Sequence, residues 1–265
     1  MDRDEDNDRQ SGGIQSLDAA LKLLRSMQDY PGPVTLSELA RDCGMPLSKV
    51  HRYLASFVSA GLVNQAGKSG KYDLGDGAIR LGLAALARHD FVNRTADMLP
   101  DLCQETGLTV LLSVWGTQGA TVVRWERAAA PMVTSMGLGT TLPLLNSATG
   151  RAFLAWAPRE PLRAVLDEEL RQARKAKILM PDQLSSYEDI ERVVALTRAR
   201  GFASVEGRFI PGLVAVAAPI LDWQEKAQAV VTLIGIDPSI TEPGSSEVST
   251  LIAACRRLSY SKLHP

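Results

Sequence analysis

The tract Ala40–Leu54, ARDCGMPLSKVHRYL, leaves the chain few ways to fold. A short helical pattern through Leu36, Leu39, Ala40 and Cys43, opened by Thr35 with Glu38 three residues on, stops at Gly44. Only Met45 and Pro46 separate it from a second helix predicted over Leu47–Ser59, which ends at Gly61. At roughly 100° per residue, Val50, Tyr53, Leu54, Phe57 and Val58 fall on one side of that helix. Ser48, Arg52, Ser56 and Ser59 fall opposite, flanked by Lys49 and His51. So short a turn brings the two apolar faces onto one core and leaves the polar side of the second helix outward. That arrangement is a helix-turn-helix, whose second helix can enter a DNA major groove with its N-terminal residues forward. A preceding helical pattern over Gly13–Tyr30 places Ile14, Leu17, Leu21 and Leu24 at helical spacing and stops at Pro31-Gly32-Pro33. Two strand-like pieces, LVNQ and KYDLG around AGKSG, complete a domain of three helices and a hairpin, predicted over residues 13–75.

Charge supports a polyanionic partner only locally. The chain carries 29 basic and 30 acidic residues, a net charge of -1, so affinity for nucleic acid must come from clustering. Between Arg41 and Tyr72 the basic residues Arg41, Lys49, Arg52, Lys68 and Lys71 face a single acid, Asp42. Arg52 can bond a guanine edge with two hydrogen bonds, Ser48 can reach bases or phosphates, and Lys49 supplies charge without sequence information. Lys68 and Lys71, at the hairpin tip, would track the backbone as a wing does. The predicted DNA-binding residues are Thr35, Arg41, Ser48, Lys49, His51, Arg52, Lys68 and Lys71, and the partner is double-stranded DNA. The rival reading of the same helix is a solvated charged face. Residues 1–12, beginning MDRDEDNDRQ, hold no apolar residue after Met1 and are expected to form a disordered acidic tail.

The pattern changes after residue 75. In DGAIRLGLAALARHDF, Ile79, Leu81, Leu83 and Leu86 spread around more than one side, so a linker helix over 76–92 needs covering from several directions. Over 93–265 the sequence alternates between strands and helices. LTVLLSVW and TVVRWER flank one turn, and LVAVAAPIL and AVVTLIGI flank another. Helices are expected over Ser147–Trp156 and Ser185–Arg200, with a further one closing the chain. Hairpins mixed with helices predict an antiparallel sheet with helices packed on it, an α+β domain.

A catalytic C-terminal domain, hydrolase-like and fused to a DNA-binding module, is the alternative. The three histidines, His51, His89 and His264, leave the body of that domain without the imidazole of a Ser-His or Cys-His pair. Glu126, Asp167 and Glu206 have no spacing that marks a catalytic pair. Cys43, Cys103 and Cys255 fit neither a disulfide framework nor a metal site and read as small apolar residues, so neither metal nor cofactor is expected. No apolar run approaches the ~18 residues of a membrane span, which predicts a soluble, cytoplasmic protein with no membrane partner. MGLGTTLPLLNSATGRA lacks the GK[ST] of a phosphate-binding loop. Ser147 instead caps a helix opening with Ala148, Thr149 and Gly150. Its bare amides can receive a carboxylate, or its small residues only allow close packing; the spacing supports both.

With these pieces placed, the chain resembles the isocitrate-lyase-regulator (IclR) family of bacterial transcription factors. The matching text is IQSLDAALKLL, TLSELARDCGMPLSKVHRYLASFVSAGLV, the YDLG closing the wing, LPLLNSATGRAFLAW and PGLVAVAAPILD. The resemblance implies a winged helix-turn-helix, a linker helix and an effector-binding domain like the GAF and profilin-like sensor folds. It also implies homodimers, often paired into tetramers, that control genes in response to small molecules, with the linker helix covered by its equivalent in another subunit. In the family, acidic residues precede the strand ending in Ala-Ala-Pro and a cysteine often lies within it; the matching positions here are Val205 and Ala215. Positions that usually carry serine in the next strand are Thr232 and Ile234, and the cavity wall includes Leu142. Glu206 survives from the acidic run, whereas Gly207 and Arg208 replace its later members. This exchange of polar anchors for apolar lining predicts an apolar or aromatic effector with at most one polar end. That end would meet the amides of Ala148 and Thr149, with Thr232 as a second donor and Trp115 either a stacking wall or simply core.

Overall fold

Thr35 starts the first helix of the predicted pair with a complete capping box. Its hydroxyl accepts a bond from Glu38 N at 3.3 Å, and its backbone N donates to Glu38 Oε2 at 2.9 Å. In the computed structural model, which describes residues 14–67, 69–88, 90–128, 136–175, 184–207 and 209–260, this helix, α2, spans Leu36–Cys43. The acidic tail, Lys68, His89, Arg208 and His264 lie outside the described residues. Gly44 ends α2 at φ 65°, a left-handed conformation that favours glycine, and α3 (Leu47–Ser59) begins two residues later. With α1 (Gln15–Ser26) these helices enclose Leu23, Leu39, Val50 and Leu54, all fully buried. The hairpin of β1 (Val63–Gln65) and β2 (Tyr72–Leu74) closes the unit, and a bridge from Val34 to Tyr72 ties its second strand to the approach to α2.

Two sequence expectations shift in this unit. On α1 the buried face is Ala20 and Leu23, continued by Met27 of the following helical turn; Ile14, Leu17 and Leu21 are 68%, 51% and 46% exposed. The helix carries two apolar stripes, and helical spacing alone does not say which one its own domain covers. The linker helix expected over 76–92 is shorter: α4 spans Asp76–Ala87, while Phe91–Ala96 forms a separate helix, α5. Asp90 separates them because its carboxylate accepts from Asn93 N at 3.0 Å, which starts a new helix.

Contacts divide the chain into two compact units, Met1–His89 and Asp90–Pro265. The second is α+β, with a six-stranded antiparallel sheet of strand order β5-β4-β3-β8-β7-β6. In chain order its strands are β3 (Thr109–Gly116), β4 (Gly119–Glu126), β5 (Thr141–Leu142), β6 (Ala203–Glu206), β7 (Val214–Leu221) and β8 (Ala227–Gly235). Strand alternation sends Val110 and Leu112 to one face, where α6 (Leu99–Thr106) and a C-terminal helix over Ser246–Leu258 cover them. Leu111 and Val230 face the other way, under α7 (Ala148–Trp156). A second helical layer follows, α8 (Arg159–Lys175) and α9 (Tyr187–Arg200), which bury Leu170, Ile190 and Val194 against Ala155 of α7. β5, β6 and α8 were not anticipated. The two strands are four residues or fewer, and α8 is so densely charged that only Leu162 and Leu170 are fully buried.

Candidate functional site

Two features stand out, one in each unit. In the first, Ser48, Lys49, His51 and Arg52 are all exposed on the side of α3 opposite Val50 and Leu54. α3 starts at Pro46 with no side-chain cap; the Lys49 and Val50 amides bond Pro46 O at 3.0 and 3.1 Å, which leaves the Leu47 and Ser48 amides as the ones a phosphate could reach. Lys49 Nζ lies 5.8 Å from the Tyr53 ring centroid, a cation-π contact that steadies the side chain while leaving its charge outward. Lys71 is exposed beside β2.

Thr35 and Arg41 are placed differently. The Thr35 hydroxyl is occupied by Glu38, donating to Oε2 at 2.7 Å as well as accepting from the amide. Arg41 pairs with Asp42 at 2.9 Å, so part of its charge is spent within the unit. Asp42 is held below the usual carboxylate range by its bond from Tyr30 and then by Arg41. Leu47, 51% exposed at the front of α3, was not singled out in the sequence; an apolar side chain there suits a thymine methyl, but exposure is its only signal.

The second feature is a cavity between α7 and the sheet. Val205, Ala215 and Ile234 form one cross-strand row on β6, β7 and β8, while Thr232 and Leu111 pair in the adjacent row. Leu142 closes one side and Ala148 and Thr149 the roof, so seven of the eight residues expected to line an effector site do line this cavity. Trp115 does not. It packs edge-on against Phe153, centroids 5.6 Å apart, and belongs to the core. It shares a sheet face with Leu111 but stands four residues further along β3, beyond the cavity's end. Met136, Phe209, Ile210 and Leu213 also line the space. The last three lie in an irregular segment, where no periodicity marks an inward residue. Glu206 points to the opposite side of β6 and accepts a bond from Thr241 at 2.9 Å.

Among the lining residues the polar ones, Ser147, Thr149 and Thr232, gather at one corner. Thr149 and Thr232 join their hydroxyls at 2.7 Å, a single bond between two O–H groups, which leaves one proton to donate elsewhere. Beside them, Ser147 Oγ accepts from Gly150 N at 2.9 Å, and the first bond of the helical ladder runs from Arg151 N to Ser147 O. The Ala148 and Thr149 amides precede that ladder, and both residues line the cavity. The corner can therefore hold a carboxylate or another acceptor. Gly150 shows the close packing left open by the sequence, because a Cβ there would stand 2.1 Å from Pro143 O and 2.4 Å from Leu144 Cα. Gly150→Ala is accordingly expected to cost about 3 kcal/mol of unfolding free energy, read by denaturant titration of the full chain. The outer loop is also held by Glu169, whose carboxylate accepts from Leu144 N and Leu145 N at 2.8 and 3.0 Å and whose pKa is raised by burial.

The cavity has a volume of about 40 Å³. Sites for small organic molecules start at ~300 Å³, so an occupant must displace lining side chains. Phe209, 40% exposed, also lines the outer groove with Leu142 and Glu169 and is the side chain best placed to swing out.

Comparison with known proteins follows the same division. The IclR helix-turn-helix domain matches residues 16–67, and the bacterial transcriptional regulator IclR C-terminal domain matches residues 83–260. The chain is 29% identical over 245 residues to the transcriptional repressor IclR of Escherichia coli, covering 91% of this chain and 87% of that protein. It is 30% identical to the transcriptional regulator BhcR of Paracoccus denitrificans, over 94% and 88% of the two chains. Among solved structures, Pseudomonas aeruginosa HmgR superposes with a TM-score of 0.81 at 32% identity, covering 93% of this chain and 97% of its own. Agobacterium tumefaciens BlcR, at 24% identity and a TM-score of 0.70, shares the fold. These relatives regulate transcription and are not enzymes, which sets the hydrolase alternative aside, and among the described residues no helix is long and apolar enough to cross a membrane. A helix-turn-helix with an outward polar face, a helix-covered antiparallel sheet enclosing a cavity, and both family matches in register show that the chain belongs to the IclR family of bacterial transcriptional regulators.

Proposed function

We propose that this regulator binds promoter DNA through Ser48, Lys49, His51 and Arg52 of α3, with Lys68 and Lys71 on the wing and Thr35 and Arg41 at its flank. In this reading residues 13–75 form the DNA-binding domain, the helix from residue 76 the linker, and residues 93–265 the effector domain of a cytoplasmic protein. The effector is an aromatic or otherwise mainly apolar metabolite whose polar end meets Ala148, Thr149 and Thr232. One observation carries this: the row where charged or sulfur anchors would stand is Val205, Ala215 and Ile234, so among the residues that line the cavity the polar ones stand at the α7 corner. Titration calorimetry with phenylacetate, benzoate, glyoxylate and pyruvate tests it. Heat from the aromatic acids alone supports the reading; heat from the two small polar acids alone defeats it.

The protein acts as a homodimer or a dimer of dimers. The supporting observation is α4, which exposes Ile79, Leu81 and Leu83 at 57%, 64% and 59%, unshielded by its own unit. A two-fold assembly would also match a pseudo-palindromic operator with half-sites ~34 Å apart or further. Leu81→Asp combined with Leu83→Asp is expected to shift sedimentation velocity toward monomer. An unchanged oligomer would place the interface in the effector domain.

A further inference from the structure

Among the described residues, two buried side-chain polar atoms have no hydrogen-bond partner, Ser113 Oγ and Trp125 Nε1. They belong to adjacent strands and face the same side of the sheet. The reason is a bulge: Leu112 pairs with Arg124 but Ser113 pairs with Val122, so Val123 is an extra residue in β4. In a regular strand Val122 and Trp125, three residues apart, would point to opposite faces. The inserted residue reverses that parity, and Trp125 joins Val122 and Leu111 in the cluster beneath α7.

Trp125 stands directly across from Leu111, and Leu111 pairs on its other side with Thr232. The row therefore runs from the polar corner, across one lining leucine, to an indole N–H with nothing to bind. Ser113 lies two residues from Leu111 on the same face of β3 and is fully buried. The span from Thr232 to Trp125 is two strand spacings, about 10 Å between backbones. A buried donor without an acceptor is destabilising, and natural structures keep few of them. Neither residue lines the cavity itself; both stand next to Leu111, which walls it, so an occupant that displaces Leu111 would reach both, and that gives them a common explanation.

We propose that Trp125 and Ser113 form a second polar subsite of the effector cavity, which selects ligands bearing a hydroxyl or carbonyl oxygen on the far side of the ring from their acidic end. The indole donates to that oxygen, and the Ser113 hydroxyl donates to it or accepts from it. This rests on the reading of the cavity as an effector site for aromatic acids, and it adds a second anchoring group to the one at α7. The ligand class becomes ring-oxygenated aromatic acids rather than plain aromatic ones.

The test compares phenylacetate with its 2-, 3- and 4-hydroxy derivatives by calorimetry on the full chain. At least one hydroxylated isomer should bind wild type about tenfold more tightly than phenylacetate. Trp125→Phe, which keeps the ring bulk and removes the N–H, should erase most of that advantage while leaving the phenylacetate affinity within about twofold. Ser113→Ala is the second variant, smaller in perturbation, and should reduce the same ratio. In spectra of ¹⁵N-labelled protein the indole resonance missing from Trp125→Phe should move downfield when the hydroxylated acid binds and stay near its place with phenylacetate. A hydroxyl advantage that survives both substitutions, or no advantage in wild type, overturns the subsite while phenylacetate binding leaves the effector reading intact. Wild type that binds none of these acids overturns the effector reading and the subsite with it.

Discussion

Val205→Asp is expected to lower affinity for an aromatic acid effector at least about 100-fold. Val205 is 7% exposed and lines the cavity beside Ala215, so its replacement sets a carboxylate in an apolar wall with no basic partner in the row. Two costs coincide. The buried charge destabilises the effector domain, on the order of 3 kcal/mol, and the ligand's own carboxylate then meets a like charge. Val205→Thr separates these, since it adds a hydroxyl without charge at nearly the same volume. It should weaken the ligand about 2- to 10-fold and leave the melting transition within a few degrees. Neither variant should alter DNA affinity in the absence of ligand, measured by anisotropy at a temperature where both are folded. Full effector affinity in Val205→Asp would place the binding site elsewhere.

Arg52→Ala should weaken binding to the operator by about 1–3 kcal/mol and broaden the sequences accepted. Arg52 is exposed on the front of α3 and makes no ion pair among the described residues, so the substitution removes little from the fold. Stability should move by less than about 0.5 kcal/mol. Lys71→Ala, on the wing, should act otherwise. It should weaken specific and random duplexes alike and reduce the slope of log affinity against log salt by about one. A uniform loss from Arg52→Ala would demote that arginine to a phosphate contact. No loss at all would remove α3 from the groove.

Much of this was legible because local signals agreed with tertiary demands. Thr35 and Glu38 announced α2, Gly44 and Gly61 marked helix ends, and the apolar side of α3 is the buried one at Val50 and Leu54. The cavity wall was readable through aligned positions, since Val205, Ala215 and Ile234 meet only because three strands pair in register. What escaped the sequence has physical causes. Trp125 shares a sheet face with Leu111 only because of a one-residue bulge in β4, and a strand pattern does not encode its bulges. Phe209 and Leu213 sit in irregular backbone with no period to read. The exposed Ile14, Leu17 and Leu21 show the same limit on a helix, where spacing reveals a stripe but not what covers it.

Sequence-specific DNA recognition is the claim on which the rest depends, and selection of binding sites from random duplexes tests it most directly. Wild type should enrich a two-fold symmetric motif and bind it at least about 10³-fold more tightly than random DNA at physiological salt. Arg52→Ala in the same selection should enrich a degenerate motif or none. A pool that remains random with wild type, and equal affinity for every duplex across a salt titration, would contradict the account.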